Sequence, residues 1–297
     1  MKIRALTGTI ILLAYIAVIS LVVFIPHGIG RYFFDAFVIL LMLAAGFEMA
    51  NALTKNNMRP LYVFIVLNVF VGYTLFFVFD FVLEFHGAVN IFFASVFLNV
   101  LAVIIYTTLS KKSEKSSIVG TIFILLYPQA PLIYMLGLSS IGHSENRLYI
   151  TAILLLFLVS TLSDTFAYLV GSTFKGPKLV PQISPKKTVS GFFGGILGGL
   201  IAGALVMLFS EYSFLVTPAL SPLPDSRGFN IMHFLVLGGV GSLCVQLGDL
   251  IASYIKRKFE IKDFSSLLPG HGGVIDRIDG MMINGVFIYV YFMILSF

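Results

Sequence analysis

Nine long apolar stretches run through this chain of 297 residues, and they constrain its fold more than any other feature. A helix needs about 20 mostly apolar residues to cross the hydrocarbon core of a bilayer, and each stretch is close to that length. Their approximate bounds are 7–26, 32–50, 61–80, 90–109, 118–138, 149–171, 191–210, 232–255 and 281–297. The sequence therefore predicts an all-α polytopic integral membrane protein with about nine transmembrane helices.

The composition agrees with a membrane protein and excludes several other classes. Hydrophobic residues make up 58% of the chain and charged residues only 11%, whereas a soluble domain has about 25% charged residues. Cys244 is the single cysteine, which excludes an intramolecular disulfide framework and any multi-cysteine metal site. The net charge of +5 does not indicate a nucleic-acid partner, because the basic residues lie in the loops between apolar stretches.

The distribution of lysine and arginine predicts the orientation of the chain in the membrane. With nine spans, successive loops alternate between the two sides, and short cytoplasmic loops are enriched in basic residues. The N-terminal side would carry sixteen basic residues: Lys2, Arg4, Lys55, Arg59, Lys111, Lys112, Lys115, Lys175, Lys178, Lys186, Lys187, Lys256, Arg257, Lys258, Lys262 and Arg277. The opposite side would carry Arg31, Arg147 and Arg227. This split of 16 to 3 predicts a cytoplasmic N-terminus and a C-terminus outside.

The polar residues divide the chain into two regions. Residues 1–145 have the pattern of five N-terminal transmembrane helices with short loops and no chemical motif. Residues 146–297 hold helices 6 to 9 and two long cytoplasmic loops, at about 172–190 and 256–280, where an active site is expected. Among the acids in apolar stretches, Asp35 and Glu48 are predicted to reach headgroups or water, whereas Asp164 and Asp249 lie deeper.

The seventh stretch carries a face of glycines. Gly191, Gly195, Gly199 and Gly203 recur at four-residue spacing, so they share one side of a helix on which two backbones can approach closely. The pattern favours packing inside one subunit over a dimer interface, although a homodimer stays compatible with the sequence.

The eighth stretch ends in polar residues on one helical face. Asp249 is followed by Ser253, Lys256 and Arg257 at spacings of four, seven and eight residues. These spacings predict a carboxylate beneath a basic rim. A structural pair between the aspartate and a basic neighbour is the alternative interpretation, but it accounts for only one of the charges that follow.

The loop after this stretch combines glycines with acids. Gly272 and Gly273 would let backbone N–H groups approach an anion. Asp276 and Asp279, spaced i and i+3, would point the same way. With Asp249 they form a set of oxygen ligands that suits Mg²⁺ rather than zinc or copper. Two simpler interpretations stay open, namely a solvated charged loop and capping of the next helix by the acids.

The other long loop is rich in lysine. Lys175, Lys178, Lys186 and Lys187 lie in it, and ammonium groups of this kind can hold a polyphosphate. The alternative is a basic segment that binds anionic lipid headgroups, at about 1 kcal/mol per charge. Both interpretations hold if the substrate is itself an anionic lipid.

Two motifs in these loops resemble those of the phosphatidate cytidylyltransferase (CDP-diacylglycerol synthase) family. The signature motif is similar in residue type and spacing at Ser253, Lys256, Arg257, Lys262, Asp263, Ser265, Pro269, His271, Gly272, Gly273, Asp276, Arg277 and Asp279. The upstream motif is similar at Asp164, Ala167, Tyr168, Gly171, Ser184, Pro185, Lys186, Lys187, Thr188 and Gly191. The motifs cover residues 164–280, and only the multi-span pattern is similar along the first five helices.

The resemblance implies an enzyme that converts CTP and phosphatidate into CDP-diacylglycerol and pyrophosphate. It implies an integral protein of the bacterial inner (plasma) membrane with the active site facing the cytoplasm. The expected cofactor is Mg²⁺, with Mn²⁺ as a substitute and room for a second cation. Phosphatidate brings its own nucleophile, since a phosphate monoester is largely dianionic at pH 7, and cations would let it approach CTP.

Each expected role belongs to a small set of side chains. The expected metal ligands are Asp249, Asp276 and Asp279, with Asp164 as a supporting ligand. The expected catalytic residues are Asp249, Asp276, Asp279, Lys256, Arg257 and His271. The histidine would protonate or hydrogen-bond the leaving pyrophosphate, or only order its loop. The expected substrate-binding residues are Ser184, Lys186, Lys187, Thr188, Ser253, Lys262, Asp263, Gly272, Gly273 and Arg277.

Two other functions stay compatible with the sequence. A CTP-dependent membrane lipid kinase would need a similar charged site. A secondary transporter would use Asp164 and Asp249 as ion or proton sites. The transporter is less favoured because no inverted repeat is evident and the polar residues cluster on one side of the membrane.

Overall fold

The computed structural model describes residues 2–25, 28–83, 87–110, 115–142, 148–212 and 227–295. Among the basic residues used to predict orientation, Lys111, Lys112 and Arg147 lie outside the described residues. Side chains are described neither for the first residues of the chain nor for the two helix ends that flank residues 213–226.

Long α-helices make up most of the described chain. They are α1 Lys2–Phe24, α2 Gly30–Lys55, α3 Tyr62–Phe77, α4 Ala88–Leu109, α5 Lys115–Ile124, α6 Ala130–Gly137, α7 Leu148–Phe174, α8 Val189–Tyr212, α9 Arg227–Lys258 and α10 Ile275–Leu295. Within the described ranges, nine helical segments are long and apolar enough to cross a membrane. The predicted all-α polytopic class and the predicted number of spans are therefore confirmed.

One of the nine spans is built from two α-helices. A kinked segment, Leu125–Gln129, joins α5 to α6, with Tyr127 in a non-helical conformation at φ −149° and ψ 114°, and the whole span covers Lys115–Ser140. Pro128 lies within this segment and has no N–H to donate, which interrupts regular α-helical hydrogen bonding.

The lysine-rich segment, which the sequence predicts as a loop, contains a short β-hairpin. Strand β1, Lys178–Val180, pairs antiparallel with strand β2, Ser184–Thr188. The N–H of Val189 then donates to the carbonyl of Pro177 at 3.0 Å, where α8 begins. The hairpin thereby fixes the position of its lysines relative to the start of α8.

The glycine face of α8 packs inside the subunit, as the sequence favours. A methyl group on Gly199 would overlap the carbonyl oxygen of Gly238 on α9. On the α7 side, a methyl group on Gly191 would lie 2.8 Å from the carbonyl oxygen of Ala167. The absence of side chains thus lets α8 approach α7 and α9 closely, and these three helices carry much of the site described below.

Helix α10 begins earlier than its apolar stretch suggests. The helix starts at Ile275 rather than near residue 281, so Asp276 and Asp279 lie in its first turns. The carboxylate of Glu48, on another helix, accepts hydrogen bonds from the N–H groups of Val274 and Ile275 at this helix start, which is why local hydrophobicity misplaces it.

Contacts between distant segments define one end of the bundle. The hydroxyl of Thr7 donates to the carbonyl of Pro269 at 3.0 Å, and the amide of Asn56 donates to the carbonyl of Phe259 at 3.2 Å. The start of α1, the end of α2 and the loop 259–274 therefore lie together. Which compartment this end faces stays a prediction from the basic residues.

The prediction that Asp35 and Glu48 reach headgroups or water is wrong. Their relative exposures are only 2% and 4%. Asp35 accepts a hydrogen bond from the hydroxyl of Tyr73 at 3.4 Å within the bundle, and Glu48 contacts the loop before α10. The polar face of α2 is turned toward other helices, where hydrogen bonds compensate for the loss of water.

Candidate active site

A polar cavity of about 790 Å³ lies at the end of the bundle where α7 and α9 finish and α8 and α10 begin. The β-hairpin forms part of its wall. Its basic lining residues are Lys175, Lys178, Lys186, Lys187, Lys256 and Arg277. Its acidic lining residues are Asp164, Asp249, Asp263, Asp276 and Asp279. Two motifs far apart in sequence thus converge on one cavity of mixed charge.

The cavity extends from the helix ends into the membrane-spanning part of the bundle. Asp164 and Asp249 both line it, although the helices that carry them continue to Phe174 and Lys258. At 1.5 Å per residue, both carboxylates lie about 15 Å before those helix ends. The polar wall therefore continues along helices that are long and apolar enough to cross a membrane, and acids within such helices are usually functional.

Asp249 pairs with a lysine from the hairpin rather than with a basic neighbour on its own helix. The ammonium of Lys187 lies 2.7 Å from Oδ2 of Asp249 and 3.4 Å from the carbonyl oxygen of Gln246. Ser253 donates to Oδ1 of Asp249 at 3.3 Å, as expected for the face that they share. The pair holds the hairpin against α9, and it brings opposite charges together in the cavity wall.

Asp276 is surrounded by hydrogen-bond donors. Lys256 lies 2.6 Å from its Oδ1, and its Oδ2 accepts from the backbone N–H groups of Phe264 at 3.0 Å and Gly273 at 2.9 Å. Its side chain is only 4% exposed. Both backbone donors precede α10, which starts at Ile275, so the carboxylate fixes the loop before the helix rather than capping the first N–H groups of the helix itself.

The next acid along α10 is held less tightly. Asp279 lines the cavity, and its Oδ1 accepts from the N–H of Gly280 at 2.8 Å. Between the two acids, Arg277 also lines the cavity and donates from Nε to the carbonyl of His271 at 3.0 Å. The acids expected to point the same way do so, since both face the cavity.

His271 lies in the loop and is not among the cavity-lining residues. Its ring packs near Gly8 of α1, where a methyl group on the glycine would lie 3.4 Å from Nε2. Within the described residues, its buried Nδ1 has no hydrogen-bond partner. Because its carbonyl holds Arg277, the geometry supports a role in ordering the loop more than proton transfer to a substrate in the cavity.

Most expected substrate-binding residues line the cavity, but several do not. Ser184, Lys186, Lys187, Thr188, Asp263 and Arg277 line it. Ser253, Lys262, Gly272 and Gly273 are not among its lining residues, and neither is Arg257, which was expected to be catalytic. Arg257 donates instead to the carbonyl of Ile183 at 3.3 Å, which anchors the turn of the hairpin. The two glycines pack against protein carboxylates, since a methyl group on Gly273 would lie 2.6 Å from Oε2 of Glu48.

Glu48 on α2 is the residue near the site that the sequence analysis missed. Its Oε1 accepts from the Ser265 hydroxyl at 2.5 Å and from the N–H of Val274 at 2.8 Å, and its Oε2 accepts from the N–H of Ile275 at 3.0 Å. The only sequence signal was an acid within an apolar stretch. Its partners lie more than 200 residues away along the chain, beyond the reach of any local pattern.

The donor set of the cavity fits a divalent cation that arrives with a phosphorylated substrate. Within the described ranges, no group of three or more His, Cys, Asp or Glu side chains is placed to hold a metal ion. Mg²⁺, however, is usually bound by one or two carboxylates together with substrate phosphates and water. Asp249, Asp279 and Asp164 offer hard oxygen ligands in the same cavity as the lysines that can hold phosphate.

The fold and the cavity define a polytopic membrane protein with a lysine- and aspartate-lined site at one end of its helices. The family model described as the cytidylyltransferase family matches residues 2–295. Because this match covers almost the whole chain, the chain belongs to that family.

Curated relatives that carry the name phosphatidate cytidylyltransferase are similar to parts of the chain. The Brucella abortus protein is 36% identical over 169 residues, which are 56% of this chain and 56% of that protein. The Rickettsia prowazekii protein is 38% identical over 140 residues, 47% of this chain and 56% of that protein. The Rickettsia conorii protein is 36% identical over 138 residues, 46% of this chain and 56% of that protein. The chain thus spans about half the length of the curated relatives it matches.

Proposed function

We propose that the chain is a phosphatidate cytidylyltransferase, which makes CDP-diacylglycerol and pyrophosphate from CTP and phosphatidate. The observation that carries the proposal is the cavity in which lysines and aspartates meet inside a membrane-spanning bundle. A lipid phosphate and a nucleotide triphosphate are both anions, and they need such a site to approach each other. The names of the relatives support the same substrates.

In the proposed reaction, the substrates supply both the nucleophile and the leaving group. An oxygen of the phosphatidate monoester attacks the α-phosphorus of CTP in line. The bond from that phosphorus to the oxygen bridging to the β-phosphorus breaks, and pyrophosphate leaves with the electron pair. Since the monoester is largely dianionic at neutral pH, no side chain has to act as a covalent nucleophile.

The basic side chains of the cavity have separate roles in this proposal. Lys178, Lys186 and Lys187 lie on the hairpin and line the cavity, and they bind the triphosphate. Lys256 and Arg277, next to the start of α10, bind the lipid phosphate. Charge-assisted hydrogen bonds of this kind position both anions and reduce their mutual repulsion.

Asp249 and Asp279 are the proposed metal ligands, and Asp164 supports them. A bound Mg²⁺ would neutralise charge on the phosphate oxygens, and Mn²⁺ would substitute in part. Asp276 has another role in this proposal. Its side chain is only 4% exposed, against 38% for Asp249, and two of its three donors are fixed backbone N–H groups, so it orders the loop and holds Lys256 in the cavity wall.

The cavity is proposed to open to the cytoplasm of a bacterial cell, in its inner membrane. The basic residues that predict a cytoplasmic face lie in the segments that surround the cavity. Phosphatidate would enter from the side of the bundle, where Tyr168 lines the cavity and has 73% of its surface exposed. A tyrosine in this position suits the boundary between acyl chains and headgroups.

Product analysis with purified protein in detergent micelles tests the proposal. CTP, phosphatidate and Mg²⁺ should yield CDP-diacylglycerol and pyrophosphate in equal amounts, and EDTA should abolish turnover until Mg²⁺ is restored. Asp249→Asn should lower turnover about a thousandfold, or about 4 kcal/mol of barrier. Asp35→Asn, a buried acid remote from the cavity, is the matched control. Release of CDP with a newly phosphorylated lipid, or no reaction, would refute the proposal.

A further inference from the structure

The carboxylate of Glu48 reaches from α2, in the N-terminal half of the chain, to the loop and helix that carry the second motif. It accepts three hydrogen bonds, from the hydroxyl of Ser265 and from the backbone N–H groups of Val274 and Ile275. The glutamate is 4% exposed. Ser265 lies in the middle of the loop 259–274, Val274 at its end, and Ile275 is the first residue of α10. One buried side chain therefore connects the loop to the start of this helix.

The charge of Glu48 is compensated by the helix that it contacts. The free N–H groups at a helix start carry a partial positive charge, which favours an anion. Gly273 makes the close approach feasible, since a methyl group there would lie 2.6 Å from Oε2 of Glu48. The glycine loop that the sequence suggests as a cradle for a substrate phosphate therefore holds a carboxylate of the protein itself.

The segment that Glu48 holds leads directly to cavity residues. Arg277 and Asp279 follow Ile275 by two and four residues on the same helix, and both line the cavity. A buried N–H group without a partner costs about 1–3 kcal/mol, so this contact favours the observed placement of both residues, together with the contacts of Asp276. The hairpin lysines, by contrast, are held by α9, where Lys187 pairs with Asp249.

We infer that Glu48 is a positioning residue, which sets the start of α10 and through it the reactive placement of Arg277 and Asp279. The expected effect on kinetics rests on the proposed function, whereas the expected effect on the structure at the start of α10 does not. It also gives the N-terminal half a part in the reaction, since α2 becomes a fixed support for the site.

Glu48→Gln is the direct perturbation. The amide has the same shape but only one acceptor oxygen, so its NH₂ group would face at least one of the three donors. Turnover should fall about a hundredfold, as expected when reacting groups are misplaced by about 1 Å. The KM for CTP should change less than about threefold, because the interaction lost belongs to the transition state. Asp35→Asn is the matched control, since it neutralises another buried acid about 20 Å along the same helix.

Hydrogen exchange provides a readout that does not depend on the reaction. In Glu48→Gln, exchange at the amides of Val274 and Ile275 should rise about tenfold or more, the effect of losing a hydrogen bond to a charged group. Exchange in α4 should stay at the parental rate. The two readouts fail separately. If the parent makes no CDP-diacylglycerol, the proposed function is wrong. If exchange at the two amides is unchanged in Glu48→Gln, the role of the structural contact is wrong, whatever the reaction.

Ser265→Ala keeps the inference testable if Glu48→Gln does not fold. Losing one donor should lower kcat about tenfold and speed exchange at Val274. Where both variants fold, adding Ser265→Ala to Glu48→Gln should change kcat less than about twofold, since both changes act through one contact. A folded Glu48→Gln protein with kcat within about twofold of the parent, or a loss confined to KM, would overturn the inference.

Discussion

Replacing Asp276 by Asn would leave Lys256 without its partner in a mostly buried position. The ion pair has a distance of 2.6 Å, and the side chains are 15% exposed for Lys256 and 4% for Asp276. A single Asn oxygen can replace Oδ2, which accepts from the N–H groups of both Phe264 and Gly273. Its NH₂ group would then face the ammonium of Lys256, which it cannot compensate.

The expected cost follows from the burial of this pair. Removing one partner of a buried ion pair costs about 3–5 kcal/mol. Because the two hydrogen bonds from backbone N–H groups are retained, we expect the lower end, a loss of about 3 kcal/mol of unfolding free energy. Reversible unfolding with SDS in mixed micelles, followed by circular dichroism, measures this change.

A second substitution separates the unpaired charge from a general defect. Lys256→Met removes the ammonium and keeps an apolar stem beside the ring of Phe264, which lies 5.6 Å from the Lys256 nitrogen in the parent. Combined with Asp276→Asn, it should restore stability to within about 1 kcal/mol of the parent. A loss below about 1 kcal/mol for Asp276→Asn alone, or a double variant no more stable than that single one, would refute the reasoning.

Three further predictions concern the cavity, the packing and the orientation of the chain. Lys187→Met should lower kcat/KM for CTP about thirtyfold in steady-state assays, which corresponds to about 2 kcal/mol of transition-state stabilisation. Lys258 does not line the cavity, so Lys258→Met should leave kcat/KM within about twofold of the parent. Gly238→Ala should lower the unfolding free energy by about 3 kcal/mol, because the added methyl group would overlap the backbone of α8. Gly239→Ala should lower it far less, because its methyl group would lie 3.3 Å from a flexible leucine side chain. The predicted orientation places residue 225, which lies outside the described residues, on the outer side of the membrane and residue 258 in the cytoplasm. In intact cells that express a cysteine-free parent, an impermeant maleimide should therefore label Asp225→Cys and not Lys258→Cys. The reverse pattern would contradict the orientation.

The membrane spans and the glycine face of α8 could be predicted because they depend on the local sequence. Twenty apolar residues in a row make a membrane helix wherever they occur in a chain. The spacing of Gly191 to Gly203 likewise indicates a close helix contact without identifying the partner. The start of α10 could not be predicted in this way, because Glu48, a residue of another helix, satisfies the N–H groups there.

The residues of the site were predictable from the motifs, but their pairing was not. A pair between Asp249 and a lysine or arginine was an alternative interpretation of the sequence, but nothing in the spacing along α9 identified the partner as Lys187 on the hairpin. The basic residue Lys256 instead contacts Asp276 across the loop. Which charges meet is decided by the packing of α7, α8, α9 and α10, and that packing depends on contacts between residues far apart in sequence.

The fate of the CTP phosphates tests the central claim most directly. Purified protein is given phosphatidate, Mg²⁺ and CTP labelled on either the α- or the γ-phosphate, and the lipid and water phases are separated after a single turnover. If the cavity catalyses attack of the lipid phosphate on the α-phosphorus, the α-label appears in the lipid and the γ-label in pyrophosphate. Transfer of the γ-label to the lipid would identify a kinase, and unlabelled lipid from both samples would exclude nucleotidyl transfer, so either result would contradict the account.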